Sequence, residues 1–306
     1  MMKELNYDSL IIDKENESVY YNDLIHKYWT KDSKETCISV TTLIHKFQTF
    51  DEKFWSAYKA IEKILGEDFN IVKGELLDKK IFNIDILEKV NIDGDTFDEV
   101  RKSILKEWEE KREVSCIRGS AIHKELELGH LSGKTTEIKK LGLGGKFDTN
   151  TSNLIIPGIQ AVYPELLLSH VSKDKSIRLA GQADLVIIDG FDVYILDYKT
   201  SKKIELKSFY DRKTKKSQMM KYPLNNLQDT NFWHYSLQLS TYAWMIKKID
   251  PRFNIKALML IHYDHDGNCT DYMCDYLESD VIRMLKFYKK ELEHDKFKQS
   301  RQKVNY

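Results

Sequence analysis

Alternating apolar and polar positions predict a β-hairpin near the middle of the chain. Gly181–Ile188 has the composition of a strand, Asp189-Gly190 is a strong signal for a tight turn, and Val193–Lys199 predicts the returning strand. Successive side chains point to opposite faces of a strand. The residues expected on one face of the second strand are Val193, Ile195, Asp197 and Lys199. A carboxylate and an ammonium group therefore end an otherwise apolar face, where an unpaired charge is costly.

The length of the hairpin loop decides whether Asp184 lies beside Asp197. With two loop residues, Asp184 is opposite Ile195 and diagonal to Asp197; with four, it is directly opposite Asp197. An odd number of loop residues would put the two aspartates on opposite faces. Adjacent carboxylates repel unless a proton or cation lies between them, so an even loop favours a shared hard metal ion, with Lys199 to meet a phosphate. The alternative is a pair of solvated aspartates and a surface lysine.

Other patterns predict helices around a mixed sheet, which is an α/β (α+β) fold class. Spaced apolar residues among Lys and Glu predict helices over 51–113, after short strands and turns in residues 1–45. Residue Ser120 is a plausible helix cap before His123. The run Gln160–Leu168 predicts a strand with Tyr163, Glu165 and Leu167 on one face. The remaining predicted elements are helices over His234–Ile249 and Ser279–Lys296, and strands over Ala257–Tyr263 and Cys269–Leu277.

Composition narrows the class of protein. The chain has 306 residues, 42% hydrophobic and 31% charged, which is typical of a folded protein with an ample core. It contains no apolar run of 18 residues and no signal-peptide pattern at its start, so we expect neither a membrane span nor export. Four scattered cysteines do not form a disulfide framework, which favours an intracellular, reducing compartment and a cytoplasmic location.

The net charge of zero conceals an asymmetry between the two parts of the chain. Residues 1–117 carry a balance of −7 and residues 118–306 a balance of +7. The segment Lys199–Lys221 holds nine basic residues and two acidic ones. A basic segment directly after the predicted metal strand favours a nucleic-acid partner, although a solvated lysine-rich loop has the same composition.

Five motifs in order resemble the PD-(D/E)xK nuclease superfamily, most closely its RecB-like branch of phage-type exonucleases, the mitochondrial genome maintenance exonuclease and CRISPR-associated nucleases. The motifs are Arg118-Gly-Ser-Ala-Ile-His123, Glu165 on its strand, Gly181-Gln-Ala-Asp184, Asp197-Tyr-Lys199 and Gln238-Leu-Ser-Thr-Tyr242. They span residues 118–250. The resemblance implies a restriction-endonuclease-like core over 118–306, preceded by a mainly helical extension over 1–117.

The resemblance also implies roles for individual residues. Mg²⁺ or Mn²⁺ would be held by His123, Asp184, Asp197, the carbonyl of Tyr198 and Glu165. Lys199 would orient or help deprotonate the attacking water and offset negative charge in the transition state. Residues expected to brace the site or contact DNA are Arg118, Gln238, Tyr242, Lys202 and Lys203. Glu127 and His130 share a helical face with His123 and could form a separate metal site, but nothing else in the sequence completes one.

Some relatives in this branch carry an iron–sulfur cluster on four cysteines, and this chain departs from that pattern. Cys116 precedes His123, but only Cys269 and Cys274 follow near the C-terminus, and Cys37 is far away in sequence. Because a cluster needs four well-placed thiolates, we expect no iron–sulfur cluster.

The implied function is a metal-dependent DNA exonuclease in phage or bacterial recombination, repair or degradation. Its expected partners are DNA that is single-stranded or has free ends, and a recombination or single-strand-binding protein, with no membrane. The chain has no phosphate-binding loop of the ATPase type, so we expect no motor activity. The alternatives are an endonuclease or an RNA-acting nuclease of the same fold, and a non-catalytic DNA-binding adaptor.

Overall fold

A computed structural model describes residues 14–15, 18–22, 25–211 and 214–304. Strands from both ends of the described chain build one mixed sheet, with the order β1-β2-β3-β4-β7-β8-β11-β12 and with β6 and β5 branching from β7. The strands of this sheet are β1 Lys14–Glu15, β2 Val19–Asn22, β3 Lys27–Thr30, β4 Thr36–Ser39, β5 Asp148–Thr149, β6 Ile159–Val171, β7 Arg178–Gly190, β8 Asp192–Lys199, β11 Asn254–Tyr263 and β12 Cys269–Cys274. A separate two-stranded ribbon consists of β9 Tyr210–Asp211 and β10 Lys216–Ser217.

Eight α-helices complete the described elements, together with a 3-10 turn over Gly66–Phe69. They are α1 Val40–His45, α2 Glu52–Leu65, α3 Asn70–Lys79, α4 Asp85–Lys89, α5 Gly94–Leu131, α6 Glu137–Lys140, α7 Asn231–Ile249 and α8 Glu278–Val304. Helices pack on both faces of the sheet, and its strand pairs are both parallel and antiparallel. The predicted α/β class with a mixed central sheet is therefore confirmed. Among the described residues, no helix has the length and apolar content that crossing a membrane requires.

The chain forms two compact units. One contains the described residues up to Gln48 together with those from Ala121 onward, and the other is Thr49–Ser120. The second unit is helical and has its own apolar core around Phe54, Ile61 and Val72. This grouping differs from the predicted division at residue 118, because β4 pairs in parallel with β7 and so joins the start of the chain to the main sheet.

The main core lies between one face of the sheet and helices α1, α7 and α8. Its buried members include Leu43, Ile195, Leu239 and Val281. A smaller cluster on the opposite face contains Leu196 and other strand residues, and side chains from α5 and α6 pack against it. Both faces of the central strands are therefore covered, which explains why β7 and β8 carry long apolar runs.

One predicted helix start is wrong. Ser120 lies inside α5, which runs unbroken through residues 94–131. Its side chain is exposed, so a serine costs little there, and helix-compatible residues continue on both sides. A true cap occurs instead at Ser39, whose hydroxyl accepts a hydrogen bond from the amide of Thr42 and starts α1 directly after β4.

Candidate metal centre

The β7–β8 hairpin brings two aspartates to the same level of the sheet. Leu185 lies opposite Leu196, so continuing the register by one residue sets Asp184 opposite Asp197. The two-residue loop is Gly190-Phe191, one position later than the predicted turn, and Gly190 adopts a φ of 65° that suits glycine. The loop therefore has an even number of residues, as predicted. Because it lies one residue later than predicted, the two aspartates are directly opposite each other.

The predicted alternation of faces along β8 is also confirmed. Val193 and Ile195 belong to the main core, whereas Leu196 and Tyr198 belong to the cluster on the other face. Asp197 continues the main-core side and has only 1% of its surface exposed. A carboxylate therefore ends the buried face of this strand.

The sheet opens beside Asp184. One edge of β7 pairs along its whole length with β6, while the other edge pairs with β4 at Leu179 and Ala180 and with β8 from Leu185 onward. Between these two neighbours, no described strand pairs with that edge of β7. Polar side chains can therefore enter the opening without breaking a ladder of backbone hydrogen bonds.

Glu165 lies opposite Asp184 on β6 and interrupts the regular strand. Its φ is 52°, in the left-handed region that non-glycine residues rarely adopt. The neighbouring pairs are Pro164 with Leu185 and Leu166 with Ala183, so the register holds on both sides.

The predicted face of β6 is wrong because the alternation shifts at Glu165. Tyr163 packs into the main core, but so does Leu166, while Leu167 packs into a separate cluster. The side chain of Glu165 is instead held by Gln182, whose Nε2 donates to Oε2 of Glu165 over 2.5 Å.

Three predicted ligands meet at this point. His123 from α5, Glu165 from β6 and Asp184 from β7 each offer one donor atom, and the three atoms lie within 4.8 Å of one another. All three side chains are partly buried. One imidazole nitrogen and two carboxylate oxygens form a donor set that suits Mn²⁺ and, with retained waters, Mg²⁺.

Tyr198 connects two of these residues through its backbone. Its amide donates to Oδ2 of Asp184 over 2.7 Å, and its carbonyl oxygen accepts from Nε2 of His123 over 3.0 Å. Nδ1 of His123 lies 3.5 Å from Oδ1 of Asp184. The Tyr198 carbonyl, predicted as a ligand, therefore lies within hydrogen-bonding distance of a predicted ligand.

Asp197 and Lys199 form a buried ion pair next to this group. Nζ of Lys199 lies 2.5 Å from Oδ2 of Asp197 and 4.6 Å from the ring centre of Tyr235. Nε2 of Gln238 donates to Oδ1 of Asp197 over 3.1 Å and contacts the hydroxyl of Tyr242 at 3.3 Å. Gln238 thus holds the aspartate directly and Tyr242 contacts Gln238, while Asp197 lies outside the cluster of three.

Burial and charge perturb these groups in opposite directions. Burial, together with the nearby Asp184, raises the pKa of Asp197 to about 6 despite the favourable charge of Lys199. Burial opposes protonation of His123, yet the Asp184 carboxylate outweighs it and raises the pKa of the imidazole to about 9. Burial also acts against the charge of Lys199, but Asp197 and Asp184 raise the pKa of its ammonium group. The carboxylates therefore favour the charged forms of both His123 and Lys199.

Three of the residues predicted to brace the site or contact DNA are not gathered into this group. Lys202 and Lys203 follow the end of β8 and are exposed, and Lys203 pairs with Glu205 over 2.6 Å. Arg118 lies on α5, in the helical unit rather than in the unit that contains His123.

Several supporting residues were not identified from the sequence. On the other face of the sheet, Nε2 of the buried His130 lies 2.8 Å from the hydroxyl of Tyr198, and Nδ1 lies 3.9 Å from the buried Glu137. His130 therefore anchors Tyr198, whereas Glu127, its suggested partner in a second metal site, pairs with Lys124. No sequence signal connects residues so far apart, although Gln182 could have been noticed within its Gly181–Asp184 motif.

The four cysteines are free thiols. Cys37 and Cys274 are buried, while Cys116 and Cys269 are exposed. The expectation that the protein carries no iron–sulfur cluster stays a prediction.

Comparisons with known proteins do not assign a family. No protein-family model matches the chain, and no curated protein matches it. One solved structure that it resembles is described as "Crystal structure of SSO0001", with 17% sequence identity and a TM-score of 0.25. The alignment covers 41% of this chain and 48% of that chain, so it spans about half of that protein.

Proposed function

We propose that this protein is a Mg²⁺- or Mn²⁺-dependent DNA exonuclease that acts inside the cell. The observation that carries the proposal is the meeting of His123, Glu165 and Asp184 within 4.8 Å, beside the buried Asp197–Lys199 pair. A resting protein gains little from so many charges in one place, because burying them costs free energy. Clusters of strongly perturbed groups are typical of functional sites.

The donor set fits a divalent metal ion. Oδ2 of Asp197 is buried and forms no well-aligned hydrogen bond, and the Glu165 carboxylate is held in place by a strained backbone. His123, Glu165 and Asp184 would hold the ion, and Asp197 would join them if its pairing with Lys199 loosened. A bound ion of this kind supplies an activated water and polarises a phosphoryl oxygen.

Lys199 is suited to stabilise charge rather than to remove a proton. The neighbouring carboxylates raise the pKa of its ammonium group, so it stays protonated at neutral pH. An ammonium at this position can offset the negative charge that builds up on a phosphodiester during hydrolysis. Gln238 keeps Asp197 in place through a direct hydrogen bond, so that the cation of Lys199 has a fixed counter-charge.

The proposal is tested by a time course on end-labelled single- and double-stranded DNA with Mg²⁺, with Mn²⁺ or with a chelator. The informative variant is Asp184→Asn, with Asp189→Asn as its matched control, because both aspartates lie on β7 and only Asp184 belongs to the cluster. We expect metal-dependent degradation by the wild-type protein and the control, and loss of at least about 100-fold in Asp184→Asn.

Other outcomes have defined meanings. No degradation by the wild-type protein with either ion would overturn the proposal and favour a non-catalytic DNA-binding adaptor. Equal activity of both variants would place the chemistry elsewhere. Cleavage of covalently closed circular DNA would change the assignment to an endonuclease, and cleavage of RNA alone would change the substrate.

A further inference from the structure

The segment that follows β8 presents aromatic rings and lysines together on its surface. Leu206, Phe209 and Tyr210 expose 50%, 69% and 53% of their surfaces. Lys207 lies between Leu206 and Phe209, and Lys215 and Lys216 lie at the start of the returning strand β10; all three lysines are exposed. We call these six residues the aromatic–basic ribbon, after the β9–β10 pair that carries part of it.

The ribbon has a fixed base. The amide of Ser208 donates to Oε1 of Gln228 over 2.8 Å, and the amide of Gln218 donates to the carbonyl of Phe209 over the same distance. The amide of Glu205 donates to Oδ1 of Asn231 over 2.7 Å. The aromatic side chains therefore project from a segment that is hydrogen-bonded on both sides.

The base of the ribbon lies close to the candidate metal centre. Asn231 is the first residue of α7, and Gln238, which bonds Asp197, follows on the same helix. At 1.5 Å per residue, these two positions are about 10 Å apart along the helix axis. A polymer that lies along the ribbon could reach the Asp197–Lys199 pair within a few monomer units.

We propose that the aromatic–basic ribbon is a stacking platform for single-stranded nucleic acid, which gives the enzyme a preference for unpaired strands. This inference rests on the proposed function and names its substrate class. Bases of a single strand can stack on exposed rings while lysines meet the phosphates, and the bases of a duplex are not available for such stacking.

The chemistry of the ribbon favours nucleic acid over a protein partner. Exposed apolar patches often mark protein interfaces, but lysine is depleted in the cores of such interfaces. Here each exposed ring has a lysine within a few residues, and one acidic residue, Asp211, lies opposite Lys216 in the β9–β10 pair. Rings in a segment with an excess of positive charge suit a chain of bases and phosphates.

The test measures binding in a chelator, so that cleavage does not interfere. Probes are fluorescein-labelled oligo(dT), oligo(U), an abasic strand of equal length and a blunt DNA duplex. The variant is the double substitution Phe209→Ala with Tyr210→Ala. Its matched control is Phe297→Ala, another exposed aromatic residue that lies on α8.

We expect the double variant to bind oligo(dT) at least roughly tenfold more weakly, since each stacked base contributes substantially to affinity. Its affinity for the abasic strand and the duplex should match that of the wild-type protein. Replacing Lys207, Lys215 and Lys216 with Gln should lower the salt dependence of oligo(dT) binding by about 0.7 for each lost phosphate contact. Equal binding of oligo(dT) and oligo(U) would extend the platform to RNA strands.

Wild-type affinity of the double variant for oligo(dT) would overturn the platform. Parallel losses for the abasic strand would also overturn it, because they would show a contribution from charge or folding rather than from stacking. The experiment can disprove the stacking platform and the proposed nuclease activity independently of each other. A protein that binds oligo(dT) through these rings but cleaves nothing retains the platform, and one that cleaves DNA without using the rings retains only the nuclease.

Discussion

Gly181 and Tyr242 are in a contact that leaves no space for a side chain on residue 181. A Cβ atom there would lie 2.7 Å from Cε1 of Tyr242 and 3.1 Å from its hydroxyl. Tyr242 in turn contacts Gln238, which bonds Asp197. Because residue 181 has no side chain, Tyr242 of α7 can pack directly against β7. This close packing sets the position of Gln238 relative to Asp197.

Gly181→Ala should destabilise the protein by about 1–3 kcal/mol, because the aromatic ring cannot swing away within a packed core. Tyr242→Ala removes the closest obstacle at its own cost and leaves Val40, whose Cγ2 would lie 3.1 Å from the new Cβ atom. We expect Gly181→Ala to lower the midpoint of denaturant unfolding much less in the Tyr242→Ala protein than in the wild type, because the two positions are strongly coupled. Denaturant unfolding of the four proteins measures the cycle, and simple addition of the two losses would contradict the contact.

Much of the centre was predictable from the alternation of side chains along strands. The parity of the hairpin put Asp184 beside Asp197, and the apolar face of β8 marked its terminal charges as unusual. The left-handed conformation of Glu165 was not predictable, because alternation assumes a regular strand. The contact between His130 and Tyr198 was equally hidden, since only the folded chain brings those two residues together.

Lys199→Met should lower the stability of the protein in a chelator and increase the stabilisation that an added metal ion gives. Without its partner, the buried carboxylate of Asp197 should cost about 3 kcal/mol in a chelator at neutral pH. Added Mg²⁺ or Mn²⁺ should then raise the melting temperature more than in the wild-type protein, because the ion replaces the missing positive charge. Thermal unfolding with and without metal measures this, with the exposed Lys202→Met as the control. Equal metal-induced shifts in the Lys199 variant and the wild type would argue against a shared ion.

The stability of the metal-free protein should depend on pH through His123. The pKa of its imidazole is about 9 in the folded protein and 6.5 for a histidine without partners, so the folded state holds the proton more tightly. This stabilisation is fully present below pH 6.5 and is lost as the pH rises to 9, an effect on the order of 3 kcal/mol. His123→Gln should lack this loss. Denaturant unfolding from pH 6 to pH 9.5 in a chelator tests it, and parallel profiles for the two proteins would contradict the assignment.

Tyr198→Phe should lower the stability of the protein while leaving DNA cleavage largely unchanged. The backbone of Tyr198 forms hydrogen bonds with Asp184 and His123. Its hydroxyl lies on the opposite face of the sheet and contacts His130. Removing the hydroxyl takes away the hydrogen-bond partner of Nε2 of the buried His130, at a cost of about 1–3 kcal/mol. DNA cleavage well below the melting temperature should remain within a few-fold of wild type. A loss as large as that of Asp184→Asn would mean that the tyrosine side chain takes part in the reaction.

Glu165 should show a conflict between stability and activity. Its left-handed backbone costs about 1–2 kcal/mol for a residue with a Cβ atom, and glycine avoids that cost. Glu165→Gly and Glu165→Ala both remove the carboxylate and the contact with Gln182, so comparing them isolates the backbone. We expect Glu165→Gly to be more stable than Glu165→Ala by about 1 kcal/mol, with cleavage reduced in both. Equal stability would mean that the strand relaxes to a regular conformation once the carboxylate is gone, in which case the carboxylate itself holds the strand in its strained form.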